Sequence, residues 1–340
     1  MTMINRNFLA LCLVITMFSG IWSACQNRQK HILTANDTIA PELSVLNQKI
    51  MNDPNNPKNY IERSKWFTDH NRPDSALLDV RKAIGLDSLN PTGYIALSEV
   101  YQFTGKFPEA ERALLKARAI APDDNEAIVA HARFYLVFKN YDAAFKLADE
   151  AIKKTPLNPK AYFVAGIAYL EKGDTLSGIK NLMNATAQDN QFFDAWVRLA
   201  LISQNKQDQL AEGYFKNALR IHPKSKAAWY LIGYFYQERG DYTKAVAAYD
   251  SVLRIDSHFR DAIYNKGYIA MVVDEDYDRA IDFFSQSLQV SPGWTNALYN
   301  RGYANELKGE IEEAREDYQN VLKLDPQNEM AIRAMDRTDR

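Results

Sequence analysis

Residues 261–270 read DAIYNKGYIA, and residues 296–305 read NALYNRGYAN. A third version of the phrase, AAWYLIGYFY, occupies residues 227–236. Each version places two tyrosines four positions apart, with a glycine directly before the second tyrosine. Self-similarity at a nearly fixed spacing is the signature of a repeat protein, so the phrase indicates one structural unit that recurs along the chain.

The unit is 34 residues long, because alanines recur at that interval at Ala83, Ala117, Ala151 and Ala185. Eight consecutive units follow from this register, the last ending at Asn328. They begin at Pro57, Pro91, Asn125, Pro159, Phe193, Lys226, Arg260 and Thr295. The fifth unit is one residue short and the seventh is one residue long. Both changes fall between two helical patterns, so the register recovers after each.

Each unit contains two blocks of apolar residues at helical spacing. Glycines at 105, 173, 240 and 309 fall where the first block ends, a typical position for a helix C-terminus. Small residues occupy the eighth position of every unit: Ser64, Ser98, Ala132, Gly166, Ala200, Gly233, Gly267 and Gly302. Small residues allow two helix axes to approach closely. The pattern predicts one helix pair per unit, and neighbouring pairs must stack to bury their apolar faces.

These residues resemble the tetratricopeptide repeat (TPR) family over residues 57–328, with a bulky fourth position and alanine or glycine at the twentieth. The resemblance implies an all-α fold, a right-handed superhelical solenoid of about eight helix-turn-helix repeats. Residues 42–56 match the second helix of an incomplete repeat, and residues 329–340 begin another first helix. We expect both segments to be capping helices, with Ile332 and Met335 facing inward in the second.

The N-terminus has the pattern of an exported protein. Residues 8–22 form an uncharged, mostly apolar run that is shorter than the ~20 residues of a membrane span. Ser23 and Ala24 then precede Cys25, an arrangement that resembles the bacterial lipoprotein signal. We therefore expect residues 1–24 to be a signal peptide, Cys25 to be lipidated and residues 25–41 to be a flexible tether. The alternative is ordinary signal cleavage that leaves Cys25 as a free thiol.

The composition excludes several function classes. The net charge is −2, with 41 basic and 43 acidic residues, so no basic field indicates a nucleic-acid partner. The sequence has no phosphate-binding loop, no HExxH, no paired-cysteine zinc motif and no nucleophile elbow. We therefore expect a protein that is not an enzyme and needs neither a cofactor nor a metal. With the lipid signal, this predicts an envelope protein, anchored in the outer membrane and facing the periplasm.

The candidate ligand-binding residues follow from the resemblance, which places positions five and nine of each repeat on the concave face. In the last three repeats these positions are all tyrosine: Tyr230, Tyr234, Tyr264, Tyr268, Tyr299 and Tyr303. Asn265 and Asn300, at position six, are candidates to hydrogen-bond an extended backbone, or are simply exposed to solvent. Upstream, position nine carries the charged residues Lys65, Glu99 and Arg133.

Two alternatives remain open for the tyrosines. They either bind a ligand or pack between neighbouring repeats, as tyrosine at position five commonly does in the family. A protein or peptide segment is the ligand that we expect, and a glycan such as peptidoglycan is the alternative. Position five is never lysine here, so the resemblance does not extend to the TPR class that clamps the carboxylates of chaperone C-termini.

Overall fold

The computed structural model describes residues 41–205 and 208–339 of the chain. Within these residues the fold is all-α, as predicted, and contains no strand. The helices are α1 (Pro41–Asn52), α2 (Pro57–Asp69), α3 (Pro73–Leu86), α4 (Pro91–Phe103), α5 (Phe107–Ile120), α6 (Asn125–Val137), α7 (Tyr141–Lys154), α8 (Pro159–Glu171), α9 (Thr175–Gln188), α10 (Phe193–Asn205), α11 (Leu210–Ile221), α12 (Lys226–Glu238), α13 (Tyr242–Ile255), α14 (Arg260–Val272), α15 (Tyr277–Val290), α16 (Thr295–Lys308), α17 (Ile311–Leu324) and α18 (Glu329–Thr338). The predicted signal peptide and Cys25 lie outside the described residues.

The helices form eight consecutive pairs, from α2 with α3 to α16 with α17. The first helix of each pair begins at the residue where the 34-residue spacing starts a unit. One unpaired helix stands at each end of the series: α1 begins at Pro41, the last residue of the predicted tether, and α18 begins at Glu329. The chain divides into two compact units, residues 1–188 and 189–340. The described part of the N-terminal unit holds α1 and four pairs, and that of the C-terminal unit holds four pairs and α18.

The local sequence explains where the first helices start. Proline occupies the first turn of α2, α4 and α8, where its missing N–H group costs no hydrogen bond. An asparagine precedes each proline, and its side-chain oxygen accepts a hydrogen bond from the helix backbone. At α8, for example, Asn158 Oδ1 accepts from the backbone N–H groups of Lys160 and Ala161, at 2.9 and 3.2 Å. These caps satisfy donors that would otherwise have no partner within the helix.

Seven of the first helices are followed, within three residues, by a residue with left-handed backbone geometry. Glycine fills this position four times, at φ values from 73° to 91°, which explains the four glycines that mark helix ends in the sequence. In other repeats Asn71, Lys139 and Glu275 adopt φ values of 54° to 56° between the two helices. A side chain in this conformation is strained, so these turns form at a local cost.

In three helix pairs of the C-terminal unit the close approach is made by a glycine opposite a large aromatic residue. In the C-terminal unit a Cβ atom added to Gly267 would lie only 2.9 Å from Cε1 of Phe284 on α15. In the same way, a Cβ atom added to Gly233 would lie 2.7 Å from a ring carbon of Tyr249, and one added to Gly302 would lie 2.9 Å from a ring carbon on α17. Phe284 and Tyr249 are both fully buried. The glycine therefore lets each first helix rest directly on a buried aromatic ring of its partner.

The two unpaired helices carry charge where a further helix would pack. Glu42 of α1 occupies a position that is alanine or glycine in the second helices of complete repeats, Lys49 occupies one that is alanine, valine or serine, and both are exposed. Asp336 of α18 occupies the small eighth position and is also exposed. Ile332 was predicted to face inward, but it is 42% exposed. The prediction was wrong because no helix of the described residues covers Ile332; the fully buried residues of α18 are Ala331 and Ala334.

Candidate ligand-binding face

Six tyrosines of the C-terminal unit lie in pairs on the first helices α12, α14 and α16. The two members of each pair are four residues apart and share one face of their helix. We call the surface formed by Tyr230, Tyr234, Tyr264, Tyr268, Tyr299 and Tyr303 the tyrosine face. Five of these side chains are half-buried, and Tyr268, at 37%, is the exposed one of the six. The six rings therefore differ in what they offer to a ligand.

The tyrosines at position five pack into the protein. Each contacts the large aromatic residue of its partner helix: the ring centroids of Tyr230 and Tyr249 are 5.9 Å apart, and those of Tyr264 and Phe284 are 5.5 Å apart. Both tyrosines also contact the residue directly before the first helix of the following repeat. The ring centroids of Tyr264 and Trp294, for example, are 4.6 Å apart. Burial raises the pKa of Tyr264 to about 12, so its hydroxyl stays protonated near neutral pH.

The asparagines at position six link neighbouring repeats. Asn300 Nδ2 donates to the hydroxyl of Tyr264 in the preceding repeat at 2.6 Å. Asn265 is 9% exposed and donates to the hydroxyls of Tyr230 and Tyr249, at 3.4 and 3.1 Å. The amides thus hold the position-five rings in place. Ligand binding by these asparagines stays a prediction, and their hydrogen bonds give them a structural role that does not require it.

The tyrosines at position nine lie one helical turn further along the same face. Tyr268 is the most open of the three, and the glycine beside it, Gly267, is turned toward Phe284 of the partner helix. Tyr303 is stacked nearly parallel to Tyr299, with ring centroids 6.4 Å apart and planes 16° apart. In the last repeat the position-nine ring therefore rests against the position-five ring.

The last helix, α18, also contributes to the tyrosine face, although it was not predicted to do so. Arg337 of α18 lies 5.8 Å from the ring centroid of Tyr303 and forms a bidentate ion pair with Glu306, with Nη2 2.7 Å from Oε2. Tyr318 donates to the same carboxylate at 2.6 Å, and the Arg337 guanidinium lowers the pKa of Glu306. The signal was present in the sequence, since Arg333 and Arg337 occupy positions five and nine counted from Glu329.

Two ion pairs, one of them with a buried carboxylate, hold the helices that carry the face. Arg301, two residues before Tyr303, holds Asp317 of α17 with two hydrogen bonds, Nε to Oδ2 at 2.9 Å and Nη2 to Oδ1 at 2.7 Å. The Asp317 side chain is only 4% exposed. Lys266, two residues before Tyr268, contacts Asp250 of the preceding repeat at 2.5 Å. Because these pairs fix the helices on the side away from the rings, the tyrosines project from a rigid support.

The described residues contain neither a cluster of metal ligands nor a membrane-spanning helix. No group of three or more histidine, cysteine, aspartate or glutamate side chains is placed to hold a metal ion in residues 41–205 and 208–339. Over the same part of the chain, none of the helices has the length and apolar character that a membrane span requires.

The stacked helix pairs place the chain in the class of α-helical repeat proteins. Models of the tetratricopeptide repeat match residues 95–159, 129–190, 203–258 and 236–293, and a second model matches residues 295–328. The chain belongs to the tetratricopeptide repeat family. Members of this family are generally non-catalytic scaffolds that bind other proteins or peptides.

Three relatives illustrate how distant the similarity is. The C-terminal part of a TPR repeat-containing protein from Cytophaga hutchinsonii is 20% identical, with a TM-score of 0.59 over 71% of this chain and 99% of that chain. The APC/C hetero-tetramer Cut9–Hcn1 contains a chain that is 18% identical, with a TM-score of 0.51 over 88% of this chain and 52% of that chain. At these identities the solved structures show a shared fold alone.

Anaphase-promoting complex subunit 3 of Schizosaccharomyces pombe is 22% identical over 139 residues, which are 40% of this chain and 21% of that protein. The chain therefore spans about a fifth of the length of this curated relative.

Proposed function

We propose that this TPR protein is a non-catalytic scaffold of the bacterial cell envelope that binds an extended segment of a partner protein on its tyrosine face. One observation carries the proposal. The first helices of three consecutive repeats each carry a tyrosine at position nine. One helical turn away, each helix also carries a position-five tyrosine that is packed against the partner helix. Tyr234, Tyr268 and Tyr303 are the rings that contact the ligand.

The chemistry of tyrosine suits this role. Its ring supplies a large contact area with only two rotatable bonds, and its hydroxyl hydrogen-bonds to a peptide backbone. Side chains that are already half-buried lose less conformational freedom when a ligand binds. The position-five rings and their asparagine hydrogen bonds therefore act as positioning groups that hold the ligand-contacting rings in register.

The binding test compares two triple variants. Tyr234, Tyr268 and Tyr303 are changed together to alanine, and the matched control changes three half-buried tyrosines of second helices, Tyr214, Tyr242 and Tyr277. Both variants are crosslinked in intact envelopes, and partner recovery is measured relative to the folded fraction given by thermal melting.

Loss of a buried aromatic anchor costs ~2 kcal/mol or more, so two anchors lower the affinity roughly a thousandfold. We expect the first variant to melt close to wild type and lose the partner, and the control to retain it. Unchanged recovery in the first variant, together with a lowered melting temperature, would assign the rings to packing instead. Competition by soluble glycan fragments, with no competition by peptides, would assign the face to a glycan.

Lipid anchoring at Cys25 is part of the proposal, and the supporting observation is the small-small-cysteine end of the apolar N-terminal run. A clickable fatty acid supplied to growing cells should label the wild-type chain but not Cys25→Ser. Equal labelling of both chains would remove the lipoprotein assignment.

The proposed orientation is an outer-membrane anchor with the repeats facing the periplasm, since no acidic cluster follows Cys25 as a surface-export signal. Protease added to whole cells should leave the protein intact, and protease added after permeabilisation should degrade it. Degradation without permeabilisation would place the repeats on the cell surface.

A further inference from the structure

The N-terminal unit carries a row of alternating charges at the position that holds tyrosine in the C-terminal unit. Lys65, Glu99 and Arg133 occupy position nine of the first three repeats, on α2, α4 and α6. All three side chains are exposed. We call these three residues the charge row. It lies within one compact unit, and its chemistry differs from that of the tyrosine face.

The charge row is unpaired, in contrast to the charges around it. Elsewhere in the same unit, lysines pair with acidic residues of the preceding repeat, as Lys160 does with Glu126 at 2.8 Å. Within the described residues, no side-chain hydrogen bond or ion pair within 4.0 Å involves the three charge-row residues. Three charges of alternating sign on adjacent helices are thus available to a ligand.

Glu99 is the distinctive member of the row. Solvent reaches its side chain, yet the surrounding protein desolvates the carboxyl group and raises its pKa, against the opposing effect of Arg133 and Lys65. The nearby acidic groups Glu126 and Asp69 add to the increase. A carboxylate in this setting gains more from a directly bound cation than a fully solvated carboxylate does.

The spacing of the row matches an extended chain. Helices α2, α4 and α6 contact one another in sequence, and the axes of packed helices are about 8–10 Å apart. A peptide in the extended polyproline II conformation has three residues per turn and rises about 3.1 Å per residue, so every third side chain lies on the same face, about 9 Å from the one before. Each member of the charge row would then face one side chain of the peptide, and the three facing side chains would be three residues apart in the peptide.

We propose that the N-terminal unit binds an extended protein segment whose charges run acidic, basic, acidic at three-residue intervals. The basic residue of the segment pairs with Glu99, and the two acidic residues pair with Lys65 and Arg133. Because the order of charges is symmetric, the segment fits in either chain direction. This site is additional to the tyrosine face, and it stands or falls independently of it.

The test uses the full chain and labelled peptides on a serine-alanine background. One peptide carries Asp-x-x-Lys-x-x-Asp, and a second of equal composition and net charge carries Lys-x-x-Asp-x-x-Asp. Exposed ion pairs are individually weak, so we expect a preference of about tenfold for the first peptide by fluorescence anisotropy at low salt. The preference should shrink as salt is raised. Equal affinity for the two peptides, or binding of neither, would overturn the proposal.

A charge reversal supplies the specific control. Glu99→Lys should lose the preference and instead favour Asp-x-x-Glu-x-x-Asp, while Glu99→Gln should only lose the preference. Glu109→Lys makes the same charge change on α5, where Glu109 is exposed and paired only with Arg112 at 3.2 Å. We expect this control to bind as wild type does. If Glu109→Lys shifts the preference as far as Glu99→Lys, the effect is one of net charge and the site does not exist.

Discussion

Gly267 provides the sharpest test of how the helix pairs are packed. A Cβ atom at this position would lie 2.9 and 3.0 Å from two ring carbons of Phe284, and 3.1 Å from Cβ of Phe283. Phe284 is fully buried, so its ring cannot swing out into solvent. Overpacking of this kind costs about 1–3 kcal/mol, and we expect Gly267→Ala to fall in that range and Gly267→Leu at or beyond its upper end.

A second helical glycine gives a control of opposite sign. Gly213 lies within α11 and has no neighbouring atom within 4 Å of an added Cβ. Gly213→Ala should therefore stabilise the protein by about 0.5–1 kcal/mol, because alanine is the better helix former. In a double-mutant cycle, Phe284→Leu should recover part of the cost of Gly267→Ala, since the smaller side chain removes the close contact.

Urea unfolding measures these free energies, and hydrogen exchange locates the damage. Because each repeat is stabilised by its neighbours, Gly267→Leu should weaken the protection of α12–α17 before that of α2. If Gly267→Ala is as stable as wild type, the close approach of the glycine to Phe284 is incorrect. Uniform loss of protection along the chain would contradict stabilisation by nearest neighbours.

Three further predictions concern other parts of the chain. Asp317→Ala leaves Arg301 without its buried partner and should lower the free energy of unfolding in urea by about 3 kcal/mol. Glu329→Ala removes one member of an exposed pair and should change the same quantity by less than about 1 kcal/mol. Similar costs for the two variants would contradict the larger effect expected for the buried pair. Lys139→Gly should raise the unfolding free energy by about 0.5–1 kcal/mol, because glycine adopts the left-handed geometry without strain, and a loss of stability would show that Lys139 is not strained. His131 is 2% exposed, neither ring nitrogen has a hydrogen-bond partner in the described residues, and burial lowers its pKa below the usual 6.5. The unfolded chain therefore binds a proton at a higher pH than the folded chain, and the resulting stability is lost as the pH falls below about 6.5. Urea unfolding at pH 7.5 and at pH 5 should show a smaller difference in His131→Leu than in wild type, and an equal difference would exclude this histidine as the cause.

The helices could be predicted from the sequence because their signals are local and repeated. Asn158 before Pro159 starts a helix, Gly173 ends it, and the small residue Gly166 lies between them at the position of close approach. Each signal recurs in other repeats, so a single irregular repeat does not obscure the register. The inward position expected for Ile332 was wrong because the repeat pattern was extended to α18, where no second helix among the described residues covers this side chain.

The character of the tyrosine face was harder to predict, because it depends on contacts between repeats. Helical spacing places Tyr264 and Tyr268 on one face, but it does not tell how deeply each ring is buried. Asn300 donates its hydrogen bond to the hydroxyl of Tyr264, 36 residues earlier in the chain. No local sequence pattern indicates a contact over such a separation. Arg337 was missed because the repeat count was closed at Asn328, although the same positions continue into α18.

Site-specific photocrosslinking tests the central claim most directly. A photoreactive phenylalanine analogue replaces Tyr268, the most exposed residue of the tyrosine face, and in a separate strain it replaces Tyr242 at the start of a second helix. Cells are irradiated, and mass spectrometry identifies any segment joined to the analogue. The proposed function predicts one defined partner segment attached at position 268 and absent at position 242. Crosslinking at 242 but not at 268, or the same products at both positions, would contradict ligand binding on the tyrosine face.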